Sequence, residues 1–179
     1  EDLTSEEEKD LVEKVLQQFD NKGVKYNTPI IFENKGLYAH WGYIEKLDEI
    51  LSNTDAIPVA IGSGTINDLV KLSSHHNNRN YLIVATAASM DGYTAFGASI
   101  TKDGSKETFS CPAPRVLIAD IDIIASAPSS MTASGYADLF AKVASGADWI
   151  LADAMGVEAI DPASFSIVHN SSLITKGEI

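Results

Sequence analysis

The sequence predicts an α/β fold in which a parallel, doubly wound sheet is followed by the start of an α-helical domain. Three apolar runs, at residues 57–62, 81–85 and 116–120, alternate with segments of helical spacing or turn composition. Continuous apolar runs are typical of strands that are buried on both faces of a parallel sheet. Strands that alternate with helices indicate crossover connections within one sheet.

The elements before the first of these runs are a helix, a strand and a second helix. Capping boxes beginning at Thr4 and Ser5 predict the start of the first helix, and Gly23 predicts its end. A short strand is predicted at residues 29–33, and a helix at residues 41–51. The buried side of this second helix is expected to carry Ile44, Leu47, Ile50 and Leu51.

The later elements are a helix, a hairpin and a helical region. A helix is predicted at residues 66–74, and the Asp103-Gly104 pair predicts a hairpin turn between strands at 98–101 and 107–109. From Pro128 onward small and apolar residues show helical spacing only. We therefore expect an α/β domain at residues 1–127 and a helical region at residues 128–179.

Composition excludes several classes of function. The 179 residues carry a net charge of −12, which argues against nucleic-acid binding and against a basic membrane-binding patch. The single cysteine, Cys111, excludes an intramolecular disulfide and is expected to be a packed thiol. No apolar run approaches the roughly 20 residues of a membrane span. The acidic amino-terminal residues are unlike a signal peptide, so a cytoplasmic protein is expected.

The first candidate binding segment has the sequence GSGTIND at residues 62–68, where a predicted strand turns into a helix. Glycines permit a sharp turn, and a helix amino terminus offers N–H groups and a partial positive charge to a pyrophosphate. The spacing differs from that of the dinucleotide fingerprint and of the P-loop. A tight glycine turn with Asn67 or Asp68 as a helix cap explains the pattern equally well.

Two later segments carry carboxylates. Residues 86–92, TAASMDG, directly follow a predicted strand, where parallel sheets bind ligands, and Asp91 is suited either to a polyol contact or to a turn. Within residues 130–142 one helical stripe carries Met131, Gly135, Asp138 and Lys142. Asp138 is suited either to a metal or substrate site among small residues, or to a surface ion pair with Lys142.

Taken in this order, the three segments resemble the iron-dependent alcohol dehydrogenase and dehydroquinate synthase-like superfamily. The sequences GSGTINDL, TAASMDGYT and SMTASGYADLFAKVASGADW are specific to its glycerol-1-phosphate dehydrogenase branch. The similarity extends from the helix near residue 5 to about Ile160.

The resemblance implies a role for particular residues. It places the nicotinamide dinucleotide against Gly62, Gly64, Thr65, Ile66, Asn67, Asp68, Thr86, Ala87, Ala88 and Ser89. It makes Asp91 a catalytic, substrate-binding residue. It makes Asp138 a catalytic residue that ligates the metal and lies next to the substrate. Ala95 stands where the family has a further cofactor-contacting serine.

The implied reaction is reversible hydride transfer between NAD(P)H and dihydroxyacetone phosphate, which gives sn-glycerol 1-phosphate. NAD or NADP supplies the hydride, and one divalent metal binds the reacting oxygen. Zinc is the expected metal, with nickel or iron as alternatives. The expected partners are a small phosphorylated triol or ketone and, as an option, further copies of the chain, with no nucleic acid and no membrane.

Part of the family's machinery is not found in the sequence. Family members supply two metal-ligating histidines from the helical domain, and none of His40, His75, His76 and His169 matches their positions. The family also begins with a strand and an acidic residue for the adenosine ribose, whereas this sequence opens on the helix that follows them. The resemblance therefore implies a nucleotide-binding domain at residues 1–127 that lacks its first strand, and an incomplete helical domain at residues 128–179. We therefore expect a chain that is truncated at both ends, binds nucleotide weakly and does not turn over by itself.

Two further functions stay open beside the phosphate-specific dehydrogenase. A glycerol dehydrogenase would use the same chemistry without the substrate phosphate. A non-catalytic nucleotide-binding or interaction module would keep the fold and lack the metal histidines. A dehydroquinate synthase-like lyase is less favoured, because residues 137–142 follow the dehydrogenase branch.

Overall fold

The computed structural model describes residues 5–32 and 36–169, and the side chains in these ranges except those of residues 5–8 and 169. The helices are α1 (Ser5–Asn21), α2 (Trp41–Ser52), α3 (Gly64–His76), α4 (Ile121–Ser126), α5 (Ser129–Ala154) and α6 (Pro162–His169). The strands are β1 (Val59–Gly62), β2 (Leu82–Ala85), β3 (Ala98–Lys102), β4 (Ser105–Phe109) and β5 (Val116–Ala119).

A three-stranded parallel sheet forms the centre of the fold. Its strand order is β1-β2-β5, and Gly62, Ala85 and Ala119 pair across the three strand ends. Helix α3 connects β1 to β2 and packs against β1. The predicted α/β fold with a parallel sheet is thereby confirmed, and the carboxyl ends of all three strands lie at one edge.

The predicted hairpin is also confirmed. Strands β3 and β4 pair antiparallel, with Lys102 opposite Ser105. Asp103 and Gly104, between them, have φ values of 50° and 80°, as a two-residue hairpin turn of the primed type requires. The hairpin packs on α3 through β3, and the N–H of Thr101 donates to the carbonyl of Ala39 at 2.7 Å.

The main core lies between α2, α3 and the hairpin. It consists of Ile44, Leu47, Leu69, Leu72, Ala98, Ile100 and Cys111. Cys111 is fully buried, which confirms the packed thiol, and burial raises the pKa of this thiol. Ile50 was expected on the buried side of α2, but it is 41% exposed because Ile44, Leu47 and Leu51 form the buried face of this helix.

The predicted end of α1 can be compared with the structure, whereas its predicted capping boxes cannot. Gly23 adopts a φ of 66° just beyond the helix, and the N–H of Val24 donates to the carbonyl of Phe19 at 2.9 Å. This left-handed residue ends α1 as predicted. Thr4 and the side chains of the predicted capping boxes lie outside the described residues.

Two predictions about strands are wrong. Residues 29–32 form no strand, since no neighbouring strand pairs with them in the described part of the chain, and Glu33 lies outside it. Strand β5 forms as predicted but is not buried, with Val116, Leu117 and Ile118 between 36% and 50% exposed. It is an edge strand, and helices α2 and α3 pack at the β1 side of the fold.

The helical region begins close to its predicted start. Helix α5 starts at Ser129, one residue after Pro128, although the short helix α4 was not predicted. Gly146 is the buried residue of α5. Among the described residues no helix is both long and apolar enough to cross a membrane.

Candidate active site

The glycine turn joins β1 to α3 and has no space for larger residues. Gly62 has a φ of 157°, and a Cβ atom there would lie 2.8 Å from Cγ1 of Ile66. A Cβ atom at Gly64 would lie 2.8 Å from the sulfur of Met90. Both glycines therefore allow close approach, one to the helix that follows and one to the segment after β2.

The start of α3 lacks the proposed cap. Ser63 is the N-cap residue, and its side chain accepts no hydrogen bond from the helix. Neither Asn67 nor Asp68 occupies that position, so the interpretation of these residues as caps is wrong. The partly exposed residues Gly64, Thr65 and Ile66 form the first turn, where N–H groups lack intrahelical partners.

Asn67 connects α3 to Tyr81 and Tyr93, which come before and after the segment of residues 86–92. Its side chain is fully buried, its amide nitrogen donates to the carbonyl of Tyr93 at 3.2 Å, and its amide oxygen accepts from the Tyr81 hydroxyl at 2.9 Å. The Tyr93 hydroxyl in turn donates to the carbonyl of Ala87 at 2.7 Å. Both ends of Asn67 are used inside the protein, so its assignment as a cofactor contact stays a prediction.

Asp68 and Lys71 bind the backbone of residues 95–99, which follow the segment of residues 86–92. An oxygen of Asp68 accepts from the N–H of Ser99 at 3.1 Å, and the Lys71 ammonium donates to the carbonyls of Ala95 and Gly97, each at 3.0 Å. Together with Asn67, these side chains hold every second residue from 93 to 99. Burial lowers the pKa of Lys71 and raises that of Asp68. The sequence reasoning missed Lys71, although a lysine on the apolar face of α3 was visible.

Replacing Lys71 with methionine should destabilise the chain by about 2 kcal/mol, because two carbonyls lose their donor and Asp68 loses its nearest cation. Urea unfolding followed by circular dichroism measures the effect. Lys14→Met is the matched control, since the Lys14 side chain is 71% exposed and only pairs with Asp10 on α1. Equal stabilities of the two variants would contradict the role given to Lys71.

The segment after β2 is buried at its beginning and open at its end. Thr86 and Ala87 are 5% and 1% exposed, and the N–H of Thr86 donates to the carbonyl of Gly62 at 3.2 Å. Ala88 is exposed and Ser89 is partly exposed. The structure thus brings this segment beside the glycine turn, at the sheet edge where such folds bind ligands.

Helix α5 crosses this segment at Gly135. A Cβ atom at that position would overlap the carbonyl oxygen of Ala88 and would lie 2.9 Å from its carbonyl carbon and 3.2 Å from that of Ser89. Only a residue without a side chain allows this approach. The predicted small residue on the helical stripe therefore marks the point where the helix meets the segment.

Asp91 and Asp138 are in contact about one helical turn beyond Gly135 on α5. An oxygen of Asp138 accepts from the N–H of Asp91 at 3.0 Å, and the Lys142 ammonium lies 3.2 Å from an oxygen of Asp91. The hydrogen bond from Asp91 and the charge of Lys142 hold the pKa of Asp138 below its usual range. Lys142 thus pairs with Asp91, whereas the surface ion pair considered from the sequence would have joined it to Asp138.

These residues fit only part of a catalytic metal site. Carboxylate oxygens suit divalent cations, but a catalytic site usually has about three protein ligands. Among the described residues no three His, Cys, Asp or Glu side chains converge. His40 caps α2 by accepting from the N–H of Gly42 at 3.0 Å, and His76 lies 2.7 Å from an oxygen of Asp48.

Residues 3–128 match the protein family described as iron-containing alcohol dehydrogenase. The chain belongs to this family. The resemblance drawn from the three segments is confirmed, and the glycine turn and the segment with Asp91 lie within the matched region, while α5 lies beyond it.

The curated proteins that this chain matches include glycerol-1-phosphate dehydrogenases [NAD(P)+]. The one from Halalkalibacterium halodurans is 37% identical over 113 residues, which are 63% of this chain and 28% of the relative. The one from Geobacillus thermodenitrificans is 34% identical over 154 residues, which are 84% and 38%. The chain spans between 28% and 42% of the length of the curated relatives that it matches.

Solved structures of the family share the fold. A halo-thermophilic alcohol dehydrogenase from an archaeon of a Red Sea brine pool superimposes with a TM-score of 0.66 at 16% identity, over 80% of this chain and 43% of the other. A glycerol dehydrogenase from Schizosaccharomyces pombe gives a TM-score of 0.59 at 22% identity, over 72% and 32%. At these identities the comparison supports the fold alone.

Proposed function

We propose that this chain is the nucleotide-binding part of a metal-dependent dehydrogenase that interconverts dihydroxyacetone phosphate and sn-glycerol 1-phosphate with NAD(P)H. The observation that carries the proposal is the contact of α5 with the segment after β2, which brings Asp138 to Asp91 beside the glycine turn. In this proposal residues 1–127 form the nucleotide-binding domain, and residues 128–179 begin the helical domain.

The cofactor lies against the glycine turn and the segment after β2 in this proposal. The first turn of α3 receives the pyrophosphate, because its N–H groups and helix dipole favour an anion. The residues that hold the cofactor are Gly62, Gly64, Thr65, Ile66, Asn67, Asp68, Thr86, Ala87, Ala88 and Ser89. Asn67 and Asp68 contribute by fixing residues 93–99, since their side chains are engaged there.

Asp138 and Asp91 act on the substrate side. Asp138 would hold the metal, zinc in preference to nickel or iron, together with ligands outside the described residues. When bound, this ion polarises the reacting oxygen as a Lewis acid. The N–H of Asp91 orients the Asp138 carboxylate and favours its charged form. The Asp91 carboxylate accepts a hydrogen bond from a substrate hydroxyl.

The substrate preference of the complete protein tests this proposal. We expect NAD(P)H-dependent reduction of dihydroxyacetone phosphate to exceed that of dihydroxyacetone about 100-fold in kcat/KM, since a site built for a charged group rejects the analogue that lacks it. Metal analysis of the same preparation should show about one divalent ion per chain. Residues 1–179 alone should show no turnover.

The alternatives give different results in the same assays. A preference for dihydroxyacetone and glycerol would favour a glycerol dehydrogenase. Nucleotide binding without metal or turnover in the complete protein would favour a non-catalytic module. Rapid oxidation of NAD(P)H by residues 1–179 alone would contradict the proposal that this chain is only a part of the dehydrogenase.

A further inference from the structure

The ammonium group of Lys142 lies close to the carboxylates of Asp91 and Asp138. It contacts Asp91 at 3.2 Å, and Lys142 follows Asp138 by one helical turn on α5. The side chains of Lys142 and Asp91 are 36% and 32% exposed, so the pair is neither buried nor fully in solvent. A ligand that approaches Asp91 therefore meets this cation as well.

The charge of the site creates a need for such a cation. The chain has a net charge of −12, and the site itself holds Asp91 and Asp138. A phosphorylated substrate brings up to two further negative charges, and the Asp91 carboxylate, which a metal held by Asp138 would not bind, would repel them. The contact with Asp91 uses one of the three N–H donors of the Lys142 ammonium, so others can donate to phosphate oxygens.

The spacing along α5 matches the shape of the substrate. Asp138 and Lys142 are one turn apart, which is about 6 Å along a helix axis. In a glycerol or dihydroxyacetone phosphate the phosphate is attached to the carbon next to the reacting one. A substrate whose reacting oxygen lies near Asp138 would therefore place its phosphate about one turn away, near Lys142.

We propose that Lys142 binds the substrate phosphate and thereby selects phosphorylated over unphosphorylated polyols. This assignment rests on the proposed function. It makes Lys142 a specificity-determining residue with two partners, since the ammonium is anchored by Asp91 and donates its remaining hydrogens to the phosphate. The competing role, in which Lys142 only orients Asp91, would affect every substrate equally.

Kinetics of the complete enzyme with two substrates test the assignment. In Lys142→Gln the ratio of kcat/KM for sn-glycerol 1-phosphate to that for glycerol should fall about 100-fold, chiefly through KM of the phosphorylated substrate. Lys142→Arg should recover most of the ratio, because guanidinium also binds phosphate. Lys106→Gln is the matched control, since the charge of Lys106 acts on Asp138 without a hydrogen bond. An unchanged ratio in Lys142→Gln overturns the assignment.

A binding measurement separates failure of this assignment from failure of the proposed function. Dihydroxyacetone phosphate binding, followed by saturation-transfer NMR, should be seen with the wild-type enzyme and be lost in Lys142→Gln, with circular dichroism reporting the fold. An inactive wild type whose binding depends on Lys142 would refute the function and support the phosphate contact. An active wild type whose binding and ratio ignore Lys142 would support the function and refute the contact.

Discussion

Replacement of Asp138 by asparagine is expected to lower kcat/KM of the complete protein about 1000-fold, because in the proposed function Asp138 is a ligand of the catalytic metal. Asparagine has nearly the same shape, and its amide oxygen can still accept from the N–H of Asp91. The variant therefore removes the negative charge while keeping the contact between α5 and the segment after β2. Kinetics and metal content by mass spectrometry measure the outcome.

Asp148→Asn is the control for this variant. Asp148 lies on the same helix and is exposed, so the net charge changes equally while the site is untouched. The control should keep both metal and activity. If Asp138→Asn also retains them, Asp138 has no part in the mechanism.

Replacement of Gly135 by valine is expected to separate α5 from the segment after β2 and to destabilise the chain by about 2 kcal/mol. The added side chain overlaps the carbonyl of Ala88, which is backbone and has no alternative rotamer. As the helix moves away, the hydrogen bond from Asp91 to Asp138 breaks. Amide exchange at Asp91 should accelerate, and activity of the complete enzyme should fall with it.

Ala137→Val provides the comparison, because Ala137 is exposed on α5 two residues further on. It introduces the same β-branched residue into the helix without meeting the segment. Its stability and the exchange of the Asp91 amide should stay near those of the wild type. Equal exchange in the two variants would show that α5 does not pack at Gly135.

Local patterns predicted most of the regular elements. The three apolar runs became parallel strands, and the Asp103-Gly104 pair formed its turn, because both signals depend on a few neighbouring residues. The exposure of β5 could not be predicted in this way. Whether a strand is covered depends on what packs against it, and that partner is not encoded in the strand's own sequence.

The sequence predicted that the residues of the helical stripe share one face of α5, but it did not predict their contacts with the rest of the chain. The spacing on α5 identified Gly135, Asp138 and Lys142 as one stripe. Only the fold shows that Asp138 meets Asp91, 47 residues earlier in the chain. Lys71 was missed for the same reason, because its carbonyl partners are 24 and 26 residues away and a helical lysine is usually solvated.

The grip of α3 on residues 93–99 has a consequence for how this segment can change length during evolution. The held groups are at residues 93, 95, 97 and 99, and the backbone between them changes from a 3₁₀ turn at Gly92–Thr94 to a left-handed Gly97 and then to β3. Because this path has no single period, an insertion of one or of two residues would move the groups that follow away from Asp68 and Lys71. Relatives that keep these side chains are therefore expected to keep the length of this segment.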